Sequence, residues 1–317
     1  MRALLLAIIL VTAGIDAAGI EAYAPFTGAS DRVVALRKFR SEGRTKFFIV
    51  NTHDLSTTIG DSSELRISPL PMKEIRDRYA ATPYCKALAD AEANAGSLQD
   101  AGITHFLRTQ PGIDLTIDLC PSRRPLDRVL FADLFAEFGK VEHPIPLAIS
   151  ITAVWMKEHP DDLKWLLGLV KNGDVTVTWV NHTCHHRVDR DLPIPENFIL
   201  EKGTNIPTEI LCTEEAMLEN GMLPSVFFRF PGLISDALVF RTVTGYGLIP
   251  VGSDAWLAKN QKATSGSIVL VHANGNEPLG IRELISLLRQ EQGNITAKRW
   301  MLYDLRESTV QVEGRKL

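Results

Sequence analysis

From residue 112 onward the chain alternates between short, almost wholly apolar runs and longer stretches in which apolar positions recur every three or four residues. The runs at 113–119, 146–151, 175–180, 226–229, 248–251 and 268–272 have strand length, and Gly, Pro or Asp marks most of their ends. The stretches 126–138, 160–170, 213–220, 236–244 and 281–290 carry the helical period. Repeated strand-then-helix units specify a parallel sheet covered by helices, and this many units favour closure into a barrel.

The pattern before residue 110 is different. Residues 46–51 (KFFIVN) read as a strand, a polar loop runs through Ser63, and 72–107 looks mostly helical with interruptions at Gly96 and Gly102. Residues 20–45 are mixed and charged and give no clear element. The expected organisation is an N-terminal α+β appendage over 20–110 and an α/β barrel over 111–317.

Residues 1–19 stand apart. Met1 and Arg2 supply a basic start, 3–15 is almost wholly apolar, and Ala17-Ala18-Gly19 offers a small-residue exit. That is the layout of a secretory signal peptide, and it is too short for a spanning helix, which needs about 20 apolar residues. The expectation is an exported protein (periplasmic, cell-surface or secreted) with no stable membrane span after signal removal.

Composition narrows the function classes. The 317 residues are 45% hydrophobic and 23% charged with a net charge of −4, which excludes a disordered chain and a polytopic membrane protein. Mild acidity also argues against nucleic acid as the main partner, because phosphate binding needs a clustered excess of Lys and Arg. The four cysteines, Cys85, Cys120, Cys184 and Cys212, allow one or two disulfides in an exported chain, with three full connectivities open.

The candidate chemistry gathers where barrel enzymes place it, at the C-terminal ends of strands. His182 and His186 follow the third run four residues apart, a spacing that on a helical turn directs both imidazoles at one point. Neutral imidazoles suit zinc or a similar divalent ion, which lowers the pKa of bound water to about 7. His185 lies between them and is ambiguous. Asp118 ends the first run and could take a proton from that water. Arg229 ends the fourth run as a buried-looking cation, for which Asp118 is the obvious partner. His272 ends the sixth and could protonate a leaving amine. Asp254 could keep His272 charged, and the Trp256 ring could wall one side of a sugar site.

These residues resemble, in order and spacing, the motifs of the polysaccharide deacetylases, carbohydrate esterase family 4. Residues 115–122 (LTIDLCPS) are similar to a first motif ending Thr-Phe-Asp-Asp-Gly-Pro, and 181–186 (NHTCHH) match the second at His182, Thr183 and His186. Residues 228–232 (FRFPG) resemble Arg-x-Pro-Tyr, 254–256 an acidic-plus-tryptophan motif, and 270–272 a Leu-x-His motif. The resemblance covers roughly 112–295. It implies a distorted (β/α)7 barrel that hydrolyses N-acetyl groups of an amino-sugar polymer using a divalent metal, usually Zn2+. It further implies Asp118 as base, His182 and His186 as metal ligands, Arg229 as orienter of the base and His272 as acid. A backbone N–H near Gly232 would help stabilise the oxyanion.

Two departures matter. Leu119 stands where the family has its third metal ligand, an aspartate, and Gly232 stands where it has a tyrosine. Three replacements for the lost ligand stay open: Cys120 as a thiolate, Asp118 shifted from base to ligand, or none, with Cys120 tied to Cys184 in a disulfide. The alternative function is a glycan-binding protein on a deacetylase fold without turnover.

Overall fold

The computed structural model describes residues 19–311; the expected signal peptide, except Gly19, lies outside them. The chain begins with an antiparallel sheet. Its strands are β1 (Glu21–Ser30), β2 (Val33–Ser41), β3 (Arg44–Asn51), β4 (Thr57–Asp61) and β5 (Ser68–Pro69), in the order β4-β3-β2-β1-β5. Residues 20–45, expected to lack a clear element, therefore contain two strands. Their alternation is broken by register shifts in β1 and between Ala35 and Arg37, so no clean period shows in the sequence.

Two short helices follow, α1 (Met72–Arg78) and α2 (Pro83–Glu92), the second capped by Thr82. The helix expected over 72–107 is thus broken at 79–82 and ends after Glu92. Residues 93–96 turn off the end of α2, and the 99–106 stretch then runs along the barrel, pairing with it at Gln99↔Ile234, Ile103↔Val251 and His105↔Ser267.

The barrel is built from β6 (Gly112–Leu119), α3 (Arg128–Phe138), β7 (Ile145–Ile151), α4 (Ala153–Glu158), α5 (Pro160–Asn172) and β8 (Val175–Asn181). It continues through α6 (Ile206–Glu219), β9 (Phe227–Phe228), α7 (Ala237–Gly245), β10 (Ile249–Pro250), β11 (Ala255–Trp256), β12 (Ile268–His272) and α8 (Pro278–Thr296). β13 (Met301–Leu302) and α9 (Leu305–Gln311) complete the described chain. Seven strands pair in parallel in the order β10-β9-β8-β7-β6-β12-β11, with β13 on the start of β6. This is the curled, incomplete (β/α)7 barrel expected from the strand-helix repeat.

Side-chain caps start four of the helices, of which α4 was not expected and α6 begins at Ile206 rather than the expected 213. Asp127, Thr152, Asn205 and Asp236 each accept a hydrogen bond from a first-turn N–H of α3, α4, α6 and α7. Every residue of β6 and β7 is buried, as strands covered on both faces must be. One apolar core fills the space between these strands and α3, α5 and α8. A second runs from β8–β10 and α7 into β2, β3 and α2, so appendage and barrel share it.

The two ends of the sheet do not pair with each other. The 99–106 segment sits there. Ile103 N–H donates to the Pro250 carbonyl at 3.0 Å and its carbonyl accepts from Gly252 N–H at 2.9 Å, along the free edge of β10. Thr104 O accepts from Ile268 N–H at 3.2 Å, at the start of β12. Gly102 allows the approach: its φ is +102°, and a Cβ there would come within 2.3 Å of the Pro250 carbonyl oxygen. Among the described residues, no helix is long and apolar enough to cross a membrane.

Candidate active site

Parallel strands that all end on one side bring their terminal residues to one mouth. There a cavity of about 510 Å3 is lined by Asp118, Cys120, His182, His186, Gly232, Trp256, His272 and Glu277, among others. Every site residue expected from the sequence except Arg229 and Asp254 lines it. Arg229 lies directly behind the wall.

Arg229 is fully buried, and each of its guanidinium nitrogens has a partner, Nε donating to the Val251 carbonyl at 3.4 Å. Nη1 donates to Asp118 Oδ1 at 3.0 Å and to Thr116 Oγ1 at 2.6 Å, and Nη2 donates to the Gly252 carbonyl at 2.9 Å. Burial pushes the Asp118 carboxyl up, but Arg229 and the imidazoles of His182 and His272 outweigh it and hold it below the usual carboxylate range. The expected Asp118–Arg229 pair is therefore formed, and it keeps Asp118 ionised.

The histidine segment is not helical, contrary to the geometry the i, i+4 spacing suggested. Residues 182–186 form an irregular turn in which Thr183 and His186 have φ of 71° and 47°. The turn still brings the rings of His182 and His186 to 4.8 Å between centroids, edge to face. His182 Nδ1 lies 2.9 Å from the Arg229 carbonyl, which can only accept, so Nδ1 carries a proton and Nε2 is the nitrogen turned to the mouth. His185 is settled as well: its ring and its backbone N–H both bind Glu209, at 2.7 and 2.9 Å, away from the cavity.

His272 meets a carboxylate, though a different one from that expected. Its Nδ1 lies 2.9 Å from Glu277 Oε2, off the ring N–H direction, and Trp256 Nε1 donates to the same oxygen at 2.6 Å. Burial disfavours the His272 cation, but the Cys120 sulfur, Glu277 and Asp118 reverse this and raise it to about 10. Asp254 instead binds His105 at 2.7 Å, because the segment laid across the barrel gap reaches it first. The expected Asp254–His272 pair is corrected to Glu277–His272.

The cysteines also differ from one expectation. Cys184 pairs with Cys212 on α6, not with Cys120, because the turn presents its sulfur to α6 rather than to the mouth. Cys120 and Cys85 are free and buried. Cys120 Sγ lies 3.4 Å from His182 Nε2, and Cys120, His182 and His186 place their donor atoms within 4.8 Å of one another. Two imidazoles and a thiol at that spacing suit a divalent ion of borderline softness such as Zn2+. Leu119 is fully buried in the core, and Asp114 binds Arg108 at the far end of β6, so neither reaches the mouth.

Glu277 and Phe198 were missed from the sequence. Glu277 had a signal, being a carboxylate just before a helix-starting proline in the loop after His272. Phe198 had none; it belongs to a single 3-10 turn in an aperiodic loop, and its ring lies against Gly232.

No protein-family model matches the chain. Among solved structures, Bacillus subtilis PdaA, a family 4 carbohydrate esterase, is 14% identical with a TM-score of 0.50 over 71% of this chain and 89% of that one. A family 4 carbohydrate esterase from Bacillus anthracis is 18% identical with a TM-score of 0.47, over 73% of this chain and 92% of that one. A family 4 pseudoenzyme from Bacillus anthracis is 14% identical with a TM-score of 0.45, over 67% and 70% respectively. With the strand order and the mouth described above, the PdaA likeness places the fold: the chain has the fold of the family 4 carbohydrate esterases.

Proposed function

We propose that this chain is an exported, metal-dependent hydrolase that removes N-acetyl groups from an amino-sugar polymer such as peptidoglycan or a chitin-like glycan. One observation carries the reading. A carboxylate paired with Arg229, two imidazoles with converging donors and His272 beside Glu277 share one cavity at the strand ends.

The residues divide the work as follows. His182 and His186 would hold a divalent ion, which when bound would supply Lewis acidity toward the acetyl carbonyl. Asp118 takes a proton from the attacking water, and Arg229 keeps it deprotonated and aimed. His272, held protonated between Glu277 and the mouth, gives its proton to the sugar nitrogen as the C–N bond breaks. Acetate and a free amine leave. The Gly232 backbone N–H is the donor assigned to the oxyanion. Trp256 and Phe198 give the cavity two aromatic walls, which suit the apolar faces of a pyranose. Export rests on the 1–19 leader pattern and on the Cys184–Cys212 disulfide, a bond expected of oxidising compartments.

The test is acetate release from N-acetylglucosamine polymers and peptidoglycan, with metal content measured on the same sample. Asp118→Asn should keep the fold and glycan binding and cut turnover by about 100-fold or more. An Asp118→Asn protein with undiminished acetate release would end the catalytic assignment.

A further inference from the structure

The mouth contains three converging donors, and none of them is a carboxylate. Cys120 Sγ, His182 Nε2 and a ring nitrogen of His186 form the cluster. The two histidines are oriented as ligands: His182 turns Nε2 to the mouth because Nδ1 binds the Arg229 carbonyl, and His186 Nε2 is buried with no hydrogen-bond partner. A zinc ion with Zn–N near 2.0 Å and Zn–S near 2.3 Å at the tetrahedral angle sets adjacent donors about 3.5 Å apart. The Cys120 Sγ to His182 Nε2 separation is 3.4 Å.

Cys120 is held for this role. Side chains alternate along β6, so Leu119 faces the core while Asp118 and Cys120 face the mouth. Asn274 Nδ2 donates to the Cys120 carbonyl at 2.7 Å, and Ser122 Oγ donates to the Asn274 carbonyl at 2.7 Å, tying the residue to the loop after β12. The sulfur is not taken by a disulfide. Asp118 is the poorer candidate, because Oδ1 is already engaged by Arg229 and its carboxylate is not one of the three converging donors.

We propose that Cys120 is the third protein ligand of the metal, giving a Cys–His–His site in place of a carboxylate–His–His site. Asp118 is thereby left free as the base. A thiolate favours Zn2+ and Co2+ and disfavours Mg2+ and Mn2+, which prefer oxygen donors. The metal's catalytic use rests on the function proposed above; its ligation does not.

The experiment is Co2+ titration of the full-length chain after chelator treatment. One equivalent should bind and produce a near-ultraviolet thiolate-to-cobalt charge-transfer band. Cys120→Ser should lose the band and weaken binding by about tenfold or more. Cys120→Asp should bind Co2+ without the band and let Mn2+ compete better than in the parent. In the parent chain, Zn2+ should block alkylation of Cys120 as read by peptide mass. Bound cobalt without the band, Cys120 alkylated equally with and without Zn2+, or unchanged affinity in Cys120→Ser each overturns the assignment. A band without acetate release overturns the deacetylase proposal and leaves the ligand standing; acetate release without a band does the reverse.

Discussion

At Gly232 the backbone sits at φ +61°, and a Cβ there would come within 2.7 Å of the Phe198 ring. The tyrosine expected from the family motif is absent for a steric reason: an aromatic ring already stands in that place, delivered by another loop. Gly232→Ala should therefore destabilise by about 1–3 kcal/mol, combining left-handed strain with ring displacement. In Gly232→Ala/Phe198→Ala the contact part of that loss should vanish, so the two costs should not add in thermal or urea unfolding. Additive losses would mean the ring and the glycine are not coupled. Residue by residue, Asp118, Arg229, His182, His186 and His272 were legible, because a polar residue ending an apolar strand is an anomaly that needs a use. Phe198 was not, because an aromatic residue in an aperiodic loop carries no sign of where the loop goes. Asp254 was misassigned for a related reason: sequence proximity to a strand end does not say which neighbour reaches the carboxylate first.

The 182–186 turn is held from one side by α6. Cys212 bonds Cys184, Glu209 grips His185, and Asn181 Nδ2 donates to the Ile210 carbonyl at 2.9 Å. The ligand-bearing turn has left-handed residues and no helical bonds of its own, so its shape depends on these ties. Closing a loop of this separation (28 residues) stabilises by about 3–4 kcal/mol on chain-entropy grounds. Cys184→Ser/Cys212→Ser should lower the Tm accordingly and also weaken metal binding, read by the same cobalt titration. A lower Tm with unchanged metal affinity would show that Glu209 and Asn181 suffice to shape the turn. At this scale the strand and helix repeat was readable from 112 onward, with starts and ends shifted by a few residues. The bulged strands of 21–41 were not, because each bulge shifts which residues face inward. Spacing likewise could not pair the cysteines: Cys120 lines the mouth, while Cys184 is bonded to Cys212 on α6.

Across the whole molecule, the sequence separates an appendage from a barrel, while the physical contacts do not. Arg37 on β2 is fully buried against Glu214 of α6, with Nε donating at 2.7 Å and Nη2 at 2.8 Å, and Tyr23 donates to the same carboxylate at 3.0 Å. Removing the appendage would strip Glu214 of both its cation and the strands that bury it. It would also uncover the apolar face that β2, β3 and α2 now cover. The 99–106 segment carries a further consequence. By pairing with β10 on one side and the start of β12 on the other, it covers the free edge of one terminal strand and the beginning of β12 that the short β11 leaves open. Unsheltered, those strands would offer rows of N–H and C=O groups to any second molecule, the template from which ordered aggregates grow. A chain beginning at Pro111 should therefore precipitate or associate at micromolar concentration, while one beginning at Gly19 stays monodisperse in light scattering; a monodisperse Pro111 chain would show that the segment is dispensable. The free edge of β10 is already occupied by the chain's own 99–106 segment.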